Sequence, residues 1–132
     1  MNRFAACSLS TMLILLAAGA STPTLAHHSF PATYVVDKTV TIEGTVVQFL
    51  FRNPHSFVHV MVQDKDGKSQ TWAVEWGAGG SLGANKVSAD TLKPGDKVIV
   101  TGNPARDPTS HRLRMREIVR PADGWKWAGD FG

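Results

Sequence analysis

The chain has 132 residues and a formal net charge of +3 at pH 7. That length allows one domain, and the charge is too small to indicate a polyanionic partner by itself. The single cysteine, Cys7, excludes an internal disulfide, so stability must come from packing, which a domain of about a hundred residues can supply.

Residues 1–26 have the pattern of a secretory signal peptide. Arg3 supplies a positive charge, residues 12–20 form an uncharged apolar run, and Thr24 and Ala26 place small side chains at the two positions that a signal peptidase reads. The run is too short to span a membrane comfortably, and small residues at 18–20 form a rival cleavage site. We therefore expect a periplasmic or secreted protein, with no stable membrane anchor after cleavage and no cysteine in the mature chain.

The mature chain opens with a predicted extended lead-in over residues 27–38. Residues 39–51 are rich in Val, Phe and Thr and predict a long first strand. The parity of its apolar residues shifts near Gly44 to Val47, which indicates a bulge or a coiled bend there. Asn53-Pro54-His55 follows, and the proline cannot donate to a sheet ladder. We expect the chain to turn a corner there and to place His55 at the mouth of the fold.

Two further strands are predicted at residues 56–63 and 69–76, joined by a hairpin turn at residues 64–67. The first of them has apolar residues on both faces, which favours a central position in the sheet. Residues 77–86 are rich in Gly, Ala and Ser. A short helical turn capped by Ser88 is predicted after them.

A turn at residues 93–96 leads into a fourth strand at residues 97–102, and a fifth strand is predicted at residues 111–120. The tail after it is expected to dock through its two tryptophans. Three strands, a short helical or irregular insert and two more strands are the order of an OB-type barrel. We predict an all-β fold over residues 27–132, a small OB-like five-stranded barrel, with a small sandwich as the alternative.

Five short motifs are spread over nearly the whole mature chain. They are Ala26-His27-His28-Ser29-Phe30, Val40-x-Ile42-x-Gly44-x-Val46, Asn53-Pro54-His55, Trp72-x-Val74-Glu75 and Leu92-Lys93-Pro94-Gly95-Asp96. Together they resemble a family of small secreted bacterial proteins classed as a domain of unknown function. The resemblance implies export and a small β-barrel, and it carries no established activity. Two departures from the family pattern, Phe51 and Asp107-Pro108, leave every histidine in place.

The histidines are the main indication of function. If cleavage follows residue 26, His27 carries a free α-amine, and this amine together with its own imidazole can chelate a divalent metal. A further imidazole, from His55 first and His28 second, completes an all-nitrogen site that suits Cu(II). A tetrahedral Zn(II) site formed by the same three histidines is the alternative. The sequence therefore predicts a periplasmic metal-binding module, with copper favoured over zinc.

The same histidines also have a purely structural interpretation. His27 and His28 could form a polar chain end, and His55 could cap the turn after the proline. His59 lies about 13 Å from His55 in a regular strand, too far to share an ion. We expect His59 to be buried and hydrogen-bonded, and His111 to lie at the surface.

Arg112, Arg114 and Arg116 alternate along the fifth strand and form a basic stripe. Together with Trp72 and Trp76 they could create a basic and aromatic face for an anionic ligand or a periplasmic protein partner. That metal-free interaction module is the alternative function. We favour a solvated strand face for the arginines and core packing for the tryptophans. Nucleic acid is not expected for an exported chain.

Catalysis has little support in the sequence. No nucleophile elbow, phosphate loop or Rossmann fingerprint is present, so no catalytic residue is assigned. Glu75 lies between two apolar residues and has two interpretations. Burial could raise its pKa, or, as we favour, it could pair with Arg52 or with an arginine of the stripe. A redox copper enzyme is a third hypothesis, for which nothing specifies a substrate surface.

Overall fold

Alternating apolar residues form six strands in the computed structural model, which describes residues 29–131. In chain order the elements are α1 (Phe30–Thr33), β1 (Val40–Leu50), β2 (Ser56–Gln63), β3 (Ser69–Trp76), α2 (Gly79–Ala84), β4 (Lys97–Pro104), β5 (Arg112–Arg120) and β6 (Trp125–Ala128). The antiparallel order β3-β2-β1-β4-β5 is closed by a parallel pairing of β3 with β5, and β6 adds to β5. The predicted OB-like five-stranded barrel is therefore confirmed, with one additional strand.

Strand β1 has a different pairing partner along each half of its length. Its first half pairs with β4 and its second half pairs with β2. The register with β2 shifts between Val46 and Gln48, which confirms the bulge predicted near Gly44. Gly44 is required because a Cβ atom there would overlap the backbone oxygen of Met61. The bulge lets one long strand bend around the barrel.

Inward-facing side chains of the five barrel strands and of the insert form one core. Its buried members are Ile42, Val46, Val58, Val60, Val74, Trp76, Leu82, Val87, Leu92, Val98, Val100, Leu113, Met115 and Ile118. Burial of these apolar side chains is the main term that stabilises a domain without disulfides.

The insert between β3 and β4 corrects one prediction. Its helix is α2, not a helical turn starting at Ser88. Leu82 lies in α2 and is almost fully buried in the core, so the segment is anchored there. Ser88 and Thr91 form a hydrogen-bonded turn instead, in which the Thr91 N–H donates to the Ser88 carbonyl at 3.0 Å.

The two ends of the described chain lie together on the outside of β5. The rings of Phe30 and Phe131 meet edge to face, with centroids 5.3 Å apart. The expected extended lead-in contains the short helix α1, whose first turn holds a proline, a position that proline tolerates. The predicted docking of the tail is confirmed, because Trp125 and Trp127 pack against the core. Among residues 29–131, no helix is both long and apolar enough to cross a membrane.

Candidate functional site

The loop between β1 and β2 is fixed by hydrogen bonds to the start of the insert. The Gly79 N–H donates to the Arg52 carbonyl at 3.0 Å, and the Ser56 N–H donates to the Gly77 carbonyl at 3.0 Å. The Ser56 hydroxyl also donates to the Arg52 carbonyl at 3.2 Å. The peptide bond that precedes Pro54 is cis. These contacts hold the loop in one place and present the residue after Pro54 beside β3.

His55 is that residue, and its ring is held from three directions. Nδ1 is hydrogen-bonded to Oε1 of Glu75. The ring of Phe30 stacks on the imidazole at 5.7 Å between centroids, and the ring of Phe131 meets it edge-on at 6.1 Å. The His55 side chain is 37 % exposed and the Glu75 side chain 8 %. An ionised carboxylate only accepts hydrogen bonds, so Nδ1 carries the proton and Nε2 keeps its lone pair in the neutral ring.

Glu75 is the centre of a four-residue network on the outer face of the barrel. Its Oε2 accepts hydrogen bonds from the Tyr34 hydroxyl and from the Arg112 guanidinium, the latter at 2.7 Å. Arg112 also donates from Nε to the Tyr34 hydroxyl oxygen at 2.7 Å. Burial alone would raise the pKa of Glu75, but the hydrogen bonds from Tyr34, Arg112 and His55 outweigh it and lower the pKa. The carboxylate is therefore ionised at neutral pH.

Tyr34 and Arg112, the two partners of the Glu75 Oε2 atom, are also held in single protonation states. Burial, followed by the hydrogen bond and the charge of Glu75, raises the pKa of Tyr34, so its hydroxyl stays a donor. Burial would lower the pKa of Arg112, yet the contacts with Glu75 and Tyr34 raise it. The interpretation of Glu75 as a carboxyl of raised pKa is thus wrong, and its pairing with a stripe arginine is confirmed.

The arginines of the stripe form a solvated face only in part, because the side chains of Arg112 and Arg116 are 38 % and 37 % exposed whereas Arg114 is buried. Arg114 is 7 % exposed, and its guanidinium lies over the Phe30 ring at 4.1 Å from the centroid. Arg114 and Arg116 both form ion pairs with Asp130. The expectation is wrong at Arg114 because alternation along β5 does not reveal that the two chain ends cover its outer face.

The two tryptophans assigned to a ligand-binding face belong to the core or pack against it. Trp76 is 0 % exposed and fills the barrel interior. Its ring meets the ring of Trp127 edge to face, with centroids 5.1 Å apart. Trp72 is half-buried, packs against the core and meets the ring of His111 at 5.2 Å. Their placement agrees with core packing, and a buried Trp76 ring cannot contact a ligand at the surface.

The remaining histidines make separate contacts. His59 is half-buried rather than buried, and its Nδ1 is hydrogen-bonded to Oε1 of Gln48 at 3.1 Å. His111 is exposed, as predicted. Within residues 29–131, no three side chains of His, Cys, Asp or Glu are grouped closely enough to hold a metal. His27 and His28, the other two predicted ligands, lie outside the described residues.

Two cavities flank the ring of His55. The first, of about 350 Å³, is lined by Arg52, Asn53, Pro54, His55, Phe57 and Glu75. The second, of about 320 Å³, is lined by Pro54, His55, Gly77, Ala78, Ser81, Asp130 and Phe131. Among residues 29–131, His55 and Glu75 are the only imidazole and carboxylate that line the first cavity.

Sequence reasoning found His55 and Glu75 but missed their surroundings. Tyr34 was expected only as part of the extended lead-in over residues 27–38, and neither Asp130 nor Phe131 was singled out. A carboxylate between two apolar strand residues is a signal for a buried ion pair, and it indicated Glu75 correctly. No comparable signal marks Tyr34, which reaches Glu75 from 41 residues away.

Fold and site together define a class: a small OB-like barrel that carries a carboxylate-oriented histidine on its outer face. Residues 15–114 match the model of a family of unknown function (DUF6152), and the chain belongs to that family. The matched range includes Tyr34, His55, Glu75 and Arg112. No curated protein matches the chain.

Proposed function

We propose that this protein is a periplasmic metal-binding module that holds Cu(II), with Zn(II) as the alternative, through His55 and His27 with help from His28. The observation that carries the proposal is the hydrogen bond from Nδ1 of His55 to the Glu75 carboxylate. Histidines that bind metals almost always donate their second N–H to a carboxylate, a carbonyl or a water. That arrangement fixes the tautomer and increases the basicity of the nitrogen that faces the metal.

The surroundings of His55 support the same role. Phe30 and Phe131 restrict the ring from two sides, so little rotamer freedom remains to be lost when a metal binds. The buried Glu75 is itself fixed by Tyr34 and Arg112, which stops it from rotating away. A ligand that is already oriented binds a metal more tightly than a mobile surface histidine.

The chain can bring the other two histidines to His55. Phe30 stacks on the His55 ring, and His28 precedes Phe30 by two residues. Two trans peptide units span at most about 7.6 Å between Cα atoms. If signal cleavage follows Ala26, the amine and imidazole of His27 and the Nε2 atom of His55 supply a nitrogen set suited to Cu(II). Zn(II) would take the three imidazoles and keep an open position.

The proposed role is binding, delivery or sensing of the metal rather than turnover. The rival function, a metal-free module that uses the arginine stripe, has less support. Arg112 is paired with Glu75, while Arg114 and Arg116 are paired with Asp130. Two carboxylates, Glu75 and Asp130, therefore compensate two of the three positive charges, which reduces what the stripe offers to an external anion.

The test uses protein exported by its own signal, so that the N-terminus is authentic. Mass spectrometry identifies the first residue, and a Cu(II) titration followed by electron paramagnetic resonance identifies the ligands. We expect a one-to-one site with nitrogen couplings that is lost when one alanine is inserted before His27. The variant His55→Ala should bind at least about tenfold more weakly, whereas His111→Ala, at an exposed histidine, should bind normally. Unchanged affinity in His55→Ala, or a mature terminus at Ser21, would refute this geometry.

A further inference from the structure

One cation beside the site, Arg52, has no carboxylate partner within residues 29–131. Arg52 is exposed, and its guanidinium makes no hydrogen bond or ion pair within residues 29–131. Its one defined contact there is the face of the Phe57 ring, 5.5 Å from the centroid. Arg52 and Phe57 both line the cavity of about 350 Å³ on one side of His55. An unpaired guanidinium at a concave surface is suited to bidentate binding of an oxyanion.

The acidic group of the same cavity does not oppose an anion. Oε1 of Glu75 is occupied by His55, and Oε2 is occupied by Tyr34 and Arg112. Arg112 compensates the charge of Glu75, and its guanidinium also lies over the Phe57 ring, 5.4 Å from the centroid. The charge left in the cavity is therefore that of Arg52, which is positive.

The rest of the lining supplies one more donor and apolar surface. The side-chain oxygen of Asn53 accepts a hydrogen bond from the Gly80 N–H at 3.4 Å, which leaves the amide NH₂ available to a ligand. Pro54 and the Phe57 ring supply apolar contacts. The volume lies at the lower end of the range for small-molecule sites, about 300–1,000 Å³.

We propose that this cavity binds a small organic carboxylate. Arg52 holds the carboxylate group, Asn53 donates a further hydrogen bond, and Pro54 and Phe57 contact the carbon body of the ligand. The site borders His55, but its contacts need no metal, so a test on metal-free protein can fail or succeed separately from the function proposed above. A carboxylate is favoured over inorganic phosphate because half of these contacts are apolar, and phosphate has no apolar part.

The test is a titration of the metal-free, full-length mature protein, followed by NMR of the backbone amides and of the arginine Nε–H groups. The probes are sodium benzoate, its neutral counterpart benzamide, and inorganic phosphate. We expect benzoate to bind saturably and to shift the signals of Arg52, Asn53 and Phe57. Benzamide and phosphate should each bind at least about tenfold more weakly, the difference expected for losing a charge-assisted hydrogen bond or the apolar contacts.

Two charge-matched variants complete the experiment. Arg52→Gln removes the proposed anchor, and Lys65→Gln removes one positive charge at the exposed β2–β3 turn, at the other end of the hairpin. We expect Arg52→Gln to weaken benzoate binding at least about tenfold and Lys65→Gln to leave it unchanged. Equal binding by both variants, equal binding of benzoate and benzamide, tighter binding of phosphate, or no saturable shift with benzoate would each overturn the proposal.

Discussion

Nδ1 of His55 and Oε1 of Glu75 are hydrogen-bonded although 20 residues separate them in the chain. The contact crosses from the loop before β2 to the paired strand β3, where Glu75 lies opposite Phe57. His55 is half-exposed and Glu75 is buried. The hydrogen bond therefore connects an imidazole that solvent reaches to a buried carboxylate. The consequences of that relationship can be measured.

Removing the charge of Glu75 should weaken metal binding without touching a ligand. In Glu75→Gln the side chain keeps its shape but loses the carboxylate that orients the His55 ring, so we expect Cu(II) affinity to fall about tenfold to a hundredfold. Isothermal titration calorimetry measures the Cu(II) affinity of both proteins. The control Glu117→Gln removes an exposed carboxylate on β5 and should bind normally. Equal affinities in the two variants would show that Glu75 does not support the site.

The stability of the domain should fall in acid because of Glu75. Its pKa is lowered in the folded state, so the unfolded state binds more protons as pH falls and the stabilisation is lost. The contribution of Glu75 to the free energy of unfolding is complete above about pH 4.3, the ordinary glutamate pKa. It disappears as the pH falls through the lower pKa that Glu75 has in the folded state. Urea unfolding of wild type and Glu75→Gln measures the difference in free energy. That difference should shrink below about pH 4.3, and a constant difference would contradict the assignment.

The hydroxyl group of Tyr34 should contribute to stability through two buried contacts. In Tyr34→Phe, Glu75 loses one donor and Nε of Arg112 loses its acceptor, while the ring remains in place. We expect the free energy of unfolding to fall by about 1–3 kcal/mol. The control Thr41→Val breaks an exposed hydrogen bond to Thr101 and should change stability by less than about 0.5 kcal/mol. Chemical denaturation measures both, and similar losses would mean that the Tyr34 contacts add nothing.

Two glycines should respond to alanine in opposite directions. At Gly44 a Cβ would overlap the backbone oxygen of Met61 on β2, so Gly44→Ala should lower the free energy of unfolding by about 1–3 kcal/mol or more. At Gly83, in α2, a Cβ meets no atom, and Gly83→Ala should be neutral or stabilising by up to about 1 kcal/mol. Thermal unfolding measured by circular dichroism distinguishes them. If the Gly44→Ala protein is as stable as wild type, the backbone of Met61 does not approach Gly44 closely enough to exclude a Cβ atom.

The sequence was most informative where side chains alternate along strands. The predicted limits of the second and third strands, residues 56–63 and 69–76, are those of β2 and β3. The bulge near Gly44 was also predicted, because a shift in parity is a local signal. Such patterns record which face of a strand is buried, and that is enough to define the barrel.

The site could be predicted only in part, because its contacts join remote segments. Tyr34 and Arg112 reach Glu75 from 41 and 37 residues away, and no periodicity records such a pairing. The expected solvated face is wrong at Arg114 for the same reason. Alternation along β5 shows which side faces outward, but not that Phe30 and Phe131 cover the Arg114 guanidinium there.

The contact between Phe30 and Phe131 also limits where a label can be attached to the protein. Because both ends of the described chain lie beside His55, an affinity tag at either end would crowd the imidazole and alter any measurement of binding. The β2–β3 turn lies at the far end of the hairpin, about 23 Å away by seven strand rises. Cys7 is the only cysteine of the sequence, so a chain that lacks residues 1–26 contains no thiol. A single Lys65→Cys substitution would therefore give one attachment point for a dye or a surface, with both cavities left open.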